Sequence, residues 1–465
     1  MLFSSQVFLL LFLPAVAVVY YLLAGTRRPR LWWLLIASLF FYSYWDVRLL
    51  PLLLGSILVN WLTACIYRRD GRTAWIVGGV AFNLVLLGVF KYADFVAGIG
   101  AALAGSIHAP WNIVLPLAIS FFTFQQISYL VDLRKQATPL YELRDYALFV
   151  ALFPHLIAGP IVRHYELAPQ FALDPLRAGL EERVGRGLIM LAIGLVKKLF
   201  IADPLGRIAD PIYAVAARGD AVGLVDGWVG ALAFYLQVYF DFSGYSDMAI
   251  GLGLIFGFTL PINFNSPYQA TSIRELWQRW HMTLTRFMRD YLYAPMGIRL
   301  NRRSPSTRAL NETVATLVTM TVIGLWHGAA WTFVLFGVAH GIALVVNQLW
   351  ARRCPRLPDW LGWAITAVFF CLSSVLFRAP DLATAGRMFA AMVGATGVVA
   401  QPLAWTSAAL LAVAAAIAYL APNSQTLALE RLRPHPALAA TCVMALVCAV
   451  IEAGGVEVPF VYFVF

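Results

Sequence analysis

Apolar stretches of 18 residues or more, the length that crosses a bilayer as a helix, recur along this 465-residue chain and are separated by short groups of arginines. The first 26 residues are uncharged. They lack the basic start of a cleavable signal peptide, so residues 3–24 read as a retained first span. Arg27, Arg28 and Arg30 follow it, Asp46 and Arg48 interrupt the next apolar run, and Arg68, Arg69 and Arg72 close that run. Placing the arginine groups inside predicts an outside N-terminus and a helical hairpin over 31–67. The next pair obeys the same rule: a span over 74–90 goes out, and one over 112–133 returns to Arg134 and Lys135. Further spans are expected near 187–202, 228–240, 246–260, 313–326, 331–350, 360–377, 403–421 and 437–451. The expected fold is an all-α polytopic membrane protein with about eleven transmembrane helices. Neither an internal repeat nor a long linker is visible, so 1–465 is taken as one membrane domain. The polar segment 163–186 reads as cytoplasmic or interfacial helix.

One segment has a different period. Ile273, Leu276, Trp277, Trp280, Leu284, Phe287, Met288 and Tyr291 recur at helical spacing, while Arg279, Arg286, Arg289 and Asp290 lie opposite. That pattern predicts an amphipathic helix at the interface over 272–292. Ser272 followed by Glu275 fits a capping box at its start. On a helical wheel His281 falls at the edge of the apolar stripe, so it points toward protein rather than out with the arginines.

Composition agrees with this class. Sixty-one per cent of the residues are hydrophobic and 12% are charged, against about 25% charged in soluble domains, which excludes a large soluble protein. The net charge of +10 does not point to nucleic acid, because the basic residues lie in short clusters between apolar spans. Between Arg274 and Arg308 eight arginines face only Glu275 and Asp290, which assigns that loop to the cytoplasm. The five cysteines have no C-x-x-C spacing and read as small buried hydrophobes, not metal ligands or a disulfide framework.

Against this background a few polar residues stand out. Residues 313–351 contain no Asp, Glu, Lys or Arg, yet His327 sits among them in the string Leu325-Trp326-His327-Gly328. At a rise of about 1.5 Å per residue, the helix from Glu312 to His327 covers roughly 22 Å of the ~30 Å hydrocarbon core. An ionisable side chain at that depth is a functional candidate by default. The bland alternative is a histidine that only bonds a neighbouring helix. Gly324 and Gly328 would permit close backbone approach or break the helix there.

Asp241 and Asp247, flanking Ser243, are the only charged residues between Asp226 and Arg274. They could orient a histidine as a carboxylate does in a catalytic triad, or form a structural ion pair with a loop arginine. His281, between Trp280 and Met282, could be catalytic or a packing histidine. His155 and His340 read as structural.

One intramembrane histidine without a metal-ligand set or nucleophile elbow can act as a general base. It would take the proton of a hydroxyl that attacks an activated acyl carbonyl, an effect worth on the order of 10²–10⁴ in rate. A thioester is already activated, so no resident cofactor or metal is needed. Cytoplasmic arginines suit a phosphate-bearing donor such as a coenzyme A thioester or a phosphopantetheine-carrying protein, although the positive-inside bias explains the same arginines. A proton-coupled transporter using His327, Asp241 and Asp247 and a non-enzymatic export scaffold are the competing classes.

The strings MLFSSQVFLLLFLP, FPHLIAGPIVR, YFDFSGYSDMAIGLGLIFGF, NFNSPYQATSI, LWQRWHMTLTRFMRDYLYAPMG, LWHGAAWTFVLFGVAHG and PFVYFVF resemble the membrane-bound O-acyltransferase (MBOAT) superfamily nearly end to end. Within it they are most similar to the membrane subunits that O-acetylate bacterial alginate, cellulose and peptidoglycan. The resemblance implies a helical fold with interfacial and re-entrant helices around a central tunnel, with its core at about 110–350. It implies His327 as the catalytic histidine and His281 as a second polar site residue. Trp326, Trp280, Arg279, Asp241, Ser243 and Asp247 are candidate tunnel or substrate contacts.

It further implies an acetyl-CoA or other acyl thioester donor bound from the cytoplasm, a bacterial inner-membrane location, and a periplasmic partner enzyme that accepts the acetyl group. An acyl carrier protein is an alternative donor, used by the sister subfamily that D-alanylates teichoic acids and shares RWHMTL. After DYLYAPMG this chain has Ile298-Arg299-Leu300-Asn301 where many acetyltransferase members carry Gly-Gly-Asn-Arg. The departure leaves the acceptor open.

Overall fold

In the computed structural model every element among the described residues is helical. Those residues are all of 1–465 except 112, 136–137, 158, 398–403, 433–434, 456–459 and 462–465. Among the described residues five helices are long and apolar enough to cross a membrane: Val47–Asp70, Thr73–Leu103, Pro305–His327, Trp331–Arg353 and Asp359–Arg378. Phe8–Leu22, Trp405–Leu420 and Pro436–Glu452 are shorter apolar helices. This is a multi-pass helical membrane protein. The expected hairpin over 31–67 is present as Arg27–Ser43 and Leu50–Asp70, turned at Asp46, whose carboxylate accepts the Arg48 N–H at 2.9 Å. The expected spans at 112–133 and 403–421 begin on residues outside the described set.

The chain divides into two compact units, one of residues 1–195, 245–261 and 428–459, the other of 196–244, 262–427 and 460–465. In the first unit, buried polar pairs fix the register of apolar helices. Asn60 and Asn83 exchange amide hydrogen bonds at 3.3 and 2.6 Å, and Gln126 donates to Ser56 Oγ at 2.9 Å. In hydrocarbon surroundings such polar groups must find partners inside the protein. The same unit holds an aromatic cluster of Phe3, Phe8, Phe12, Phe41 and Phe153.

The second unit is organised on an antiparallel hairpin of Arg308–His327 and Trp331–Arg353. Glycine makes the close pairing possible. A Cβ on Gly324 would lie 2.2 Å from the Phe333 carbonyl, and one on Gly337 2.4 Å from that of Met320. At the hairpin's open end Glu312 bonds Arg308 at 3.1 Å, Arg352 at 2.8 Å and Gln348 at 3.1 Å. The arginines therefore gather at the end opposite the 328–330 turn.

Three expectations fail in instructive ways. Spans 228–240 and 246–260 are one 32-residue helix, Leu224–Ile255. The polar island at 241–247 does not end it, because breaking a buried helix would strand backbone N–H and C=O groups. The single amphipathic helix expected over 272–292 is instead two short helices, Ile273–Arg279 and Met282–Met288, followed by a π turn at Arg289–Tyr293. The break at Trp280–His281 is stabilised by a neighbouring loop: Asn265 N–H donates to the Arg279 carbonyl and Met282 N–H to the Asn263 carbonyl, both at 2.9 Å. The cap also differs from a capping box. Ser272 Oγ accepts from Glu275 N–H at 3.2 Å, but the Glu275 carboxylate reaches Thr271 N–H at 2.8 Å, one residue earlier than the box requires.

Candidate active site

The helix that carries His327 ends on it. Gly328 is extended, with φ −164° and ψ 152°, and a Cβ there would lie 2.1 Å from the Phe333 ring. Both roles expected of Gly324 and Gly328, close approach and helix interruption, are realised. His327 is buried, its ring 5.0 Å from Trp326 and 5.0 Å edge-on from Phe377.

His281 reaches the same place from the broken helix. It is fully buried, as its inward wheel position predicts, and adopts a left-handed backbone with φ 41° and ψ 51°. A non-glycine residue in that region costs on the order of 1 kcal/mol or more and is held there by its surroundings. Its ring lies 6.5 Å from that of His327, centroid to centroid, and 5.9 Å from Trp326. That separation is too wide for a direct nitrogen-to-nitrogen hydrogen bond.

Trp280 closes one side. It is buried, parallel to Tyr268 at 6.1 Å and edge-on to Phe264 and Phe370 at 5.1 and 5.0 Å. With Phe336, Phe370, Ser374 and Phe377 it lines a cavity of about 10 Å³ beside His327. That volume holds about one water.

A second, larger cleft of about 210 Å³ opens beneath the broken helix. Arg274, Thr285, Arg289, Thr319, Ile323 and Gln348 are among its lining residues. Ile323 is one turn before His327. Thr319 is 7% exposed, and its hydroxyl has no hydrogen-bond partner among the described residues.

The other sequence candidates separate. Arg279 pairs with Glu275 at 2.6 Å on the partly exposed side of its helix. Burial pushes the Glu275 carboxyl up, but hydrogen bonds from Thr271 and Arg279 outweigh it and hold the group below its ordinary value. Asp241 is paired with a lysine rather than with a histidine or a loop arginine. Its Oδ1 lies 2.9 Å from Lys198 Nζ, which also meets Asp203 at 2.7 Å, and its Oδ2 accepts the Val461 N–H at 2.8 Å. Ser243 accepts from Lys197 at 3.3 Å, and Asp247 is buried in the first unit.

His340 has both ring nitrogens engaged. Nδ1 accepts from the Trp277 indole at 3.2 Å, so Nε2 carries the proton and donates to Ser373 Oγ at 3.0 Å. His155 lies in the first unit, where Gln125 donates to its Nδ1 at 3.1 Å. Among the described residues no group of three or more His, Cys, Asp or Glu side chains could hold a metal ion.

Sequence reasoning missed Asn263, Lys198 and the aromatic wall from Asp359–Arg378. Asn263 had a signal. It lies just after Pro261 in the polar, proline-punctuated segment Asn263-Phe264-Asn265-Ser266-Pro267, a loop signal.

A buried pair of histidines thus lies at the closed end of an apolar helical hairpin, with a cleft lined by Arg274 and Arg289 nearby. The model of the MBOAT, membrane-bound O-acyltransferase family, matches residues 132–377, which include His281, His327 and the lining residues of both cavities. The chain belongs to that family and is an acyltransferase. It is 40% identical over 436 residues to the peptidoglycan O-acetyltransferase of Helicobacter pylori, covering 86% of this chain and 81% of that one. To the probable alginate O-acetylase AlgI of Pseudomonas aeruginosa it is 42% identical over 403 residues, covering 84% and 75%. A teichoic acid D-alanyltransferase of Streptococcus thermophilus is 30% identical over 252 residues, 53% of this chain and 60% of that one.

Proposed function

We propose that this chain moves acetyl groups from a cytoplasmic thioester, acetyl-CoA or an acyl carrier protein, across the bacterial inner membrane for O-acetylation of an exported polysaccharide. The observation that carries the reading is the pair His281 and His327, both buried and 6.5 Å apart, with a cavity of about 10 Å³ beside His327. In the proposed step His327 takes the proton of an acceptor hydroxyl. The oxygen attacks the acyl carbon, the new C–O bond forms, the C–S bond breaks, and the leaving thiolate takes up the proton.

The cleft of about 210 Å³ supports a donor route from the arginine end. Arg274 and Arg289 would meet phosphate, and the Thr319 hydroxyl would meet an amide of a pantetheine arm. The narrow cavity at His327 then serves as the pinch of a tunnel. Among the described residues no soluble glycan-binding domain stands between the helices, so a periplasmic enzyme is the proposed recipient of the acetyl group, and the surrounding lipid is the remaining partner. The similarity to acetyltransferases of peptidoglycan and alginate favours acetyl over D-alanyl transfer; cellulose is a further candidate acceptor. The test is reconstitution in liposomes with radiolabelled acetyl thioester inside and acceptor outside. Label in ester linkage outside supports the reading, and proton flux without thioester consumption supports a transporter.

A further inference from the structure

The loop that breaks the amphipathic helix also decides what His281 can do. Asn263 is fully buried, and its side-chain Oδ1 lies 3.0 Å from His281 Nδ1. The same oxygen accepts from the Thr283 hydroxyl at 2.9 Å and from the Thr283 backbone N–H at 3.4 Å. A backbone N–H can only donate, so it is the amide oxygen of Asn263, not its NH₂, that faces this cluster. His281 Nδ1 must then carry a hydrogen and donate it. In a neutral imidazole the other nitrogen is left with a lone pair. Nε2 is buried and has no hydrogen-bond partner among the described residues.

We propose that Asn263 is a positioning residue that fixes His281 as the Nδ1–H tautomer, so that the second histidine of the site presents an acceptor rather than a donor at Nε2. Three features converge on this. The Asn263 carbonyl accepts the Met282 N–H at 2.9 Å, locking the loop to the helix start; His281 is held in a left-handed backbone that aims its ring inward; and Phe242 packs edge-on to that ring at 4.7 Å. With its lone pair directed into the site, His281 accepts a hydrogen bond there and leaves the acceptor hydroxyl's own proton to His327. It cannot donate to a developing oxyanion. The contrast with His340 is direct, since both nitrogens there are engaged.

The inference rests on His281 belonging to the acyl-transfer site, and the test separates the two ideas. Full-length protein carrying ¹⁵N-labelled histidine rings, with His281 assigned by its loss in His281→Gln, is examined by NMR in lipid. A proton on Nδ1 and a bare Nε2 is the expected result; a proton on Nε2 overturns the assignment. Asn263→Ala should scramble the tautomer and lower kcat by about 10- to 100-fold, the usual cost of losing an orienting partner, with KM for the thioester unchanged. Asn263→Asp, which keeps an acceptor in the same place, should restore the tautomer and most of kcat even if the alanine variant folds poorly. Full activity in His281→Gln would remove His281 from the reaction, while the wild-type spectrum would still decide the tautomer.

Discussion

His281 and His327 stand 6.5 Å apart on separate elements, one at a helix break and the other at a helix end. Groups that act on one reacting centre are non-additive when removed. His281→Ala and His327→Ala should each lower transfer by about 10²–10⁴, and the double variant should be little worse than His327→Ala alone. Initial rates of ester formation for the three variants check this; multiplicative losses would mean two independent roles.

Gly324 faces the Phe333 carbonyl so closely that even a methyl group would lie 2.2 Å from it. Gly324→Ala should push the two helices apart and destabilise the protein by about 1–3 kcal/mol, the range of overpacked cores, and move His327 with them. Thermal unfolding in detergent and the transfer rate should fall together. An unchanged Tm would contradict the close packing.

Lys198 is 1% exposed between Asp203 and Asp241. Lys198→Met leaves two buried carboxylates without their cation and should cost about 3–5 kcal/mol. Arg378 meets Asp210 at 2.7 Å, but Asp210 is more than half exposed. Arg378→Met should cost less than about 1 kcal/mol. Equal losses of stability would mean that burial does not set the value of these pairs.

The cleft beneath the broken helix, with its arginines and the Thr319 hydroxyl, is the proposed donor route. Arg289→Gln and Thr319→Val should raise KM for acetyl thioester several-fold with kcat held, the signature of lost ground-state binding. A fall in kcat at unchanged KM would place these residues in the chemistry instead.

Much of the fold was legible because apolar length and arginine position are coarse signals that survive any packing detail. The turn at Asp46, the helix end at Gly328 and the inward face of His281 were all readable from local chemistry. The break at Trp280–His281 was not, because the periodicity of 272–292 is helical throughout and the hydrogen bonds that interrupt it come from Asn263 and Asn265, residues distant in sequence. Asp241 shows the same limit. Its isolation in an apolar run announced a partner, but the lysine that pairs with it lies inside an apolar stretch that read simply as a span.

The most direct measurement is acyl transfer by His327→Ala protein reconstituted at wild-type density and confirmed folded by its unfolding profile. The proposed chemistry predicts loss of ester formation by at least about 10² with thioester binding retained. Transfer at the wild-type rate from a folded His327→Ala protein would contradict it.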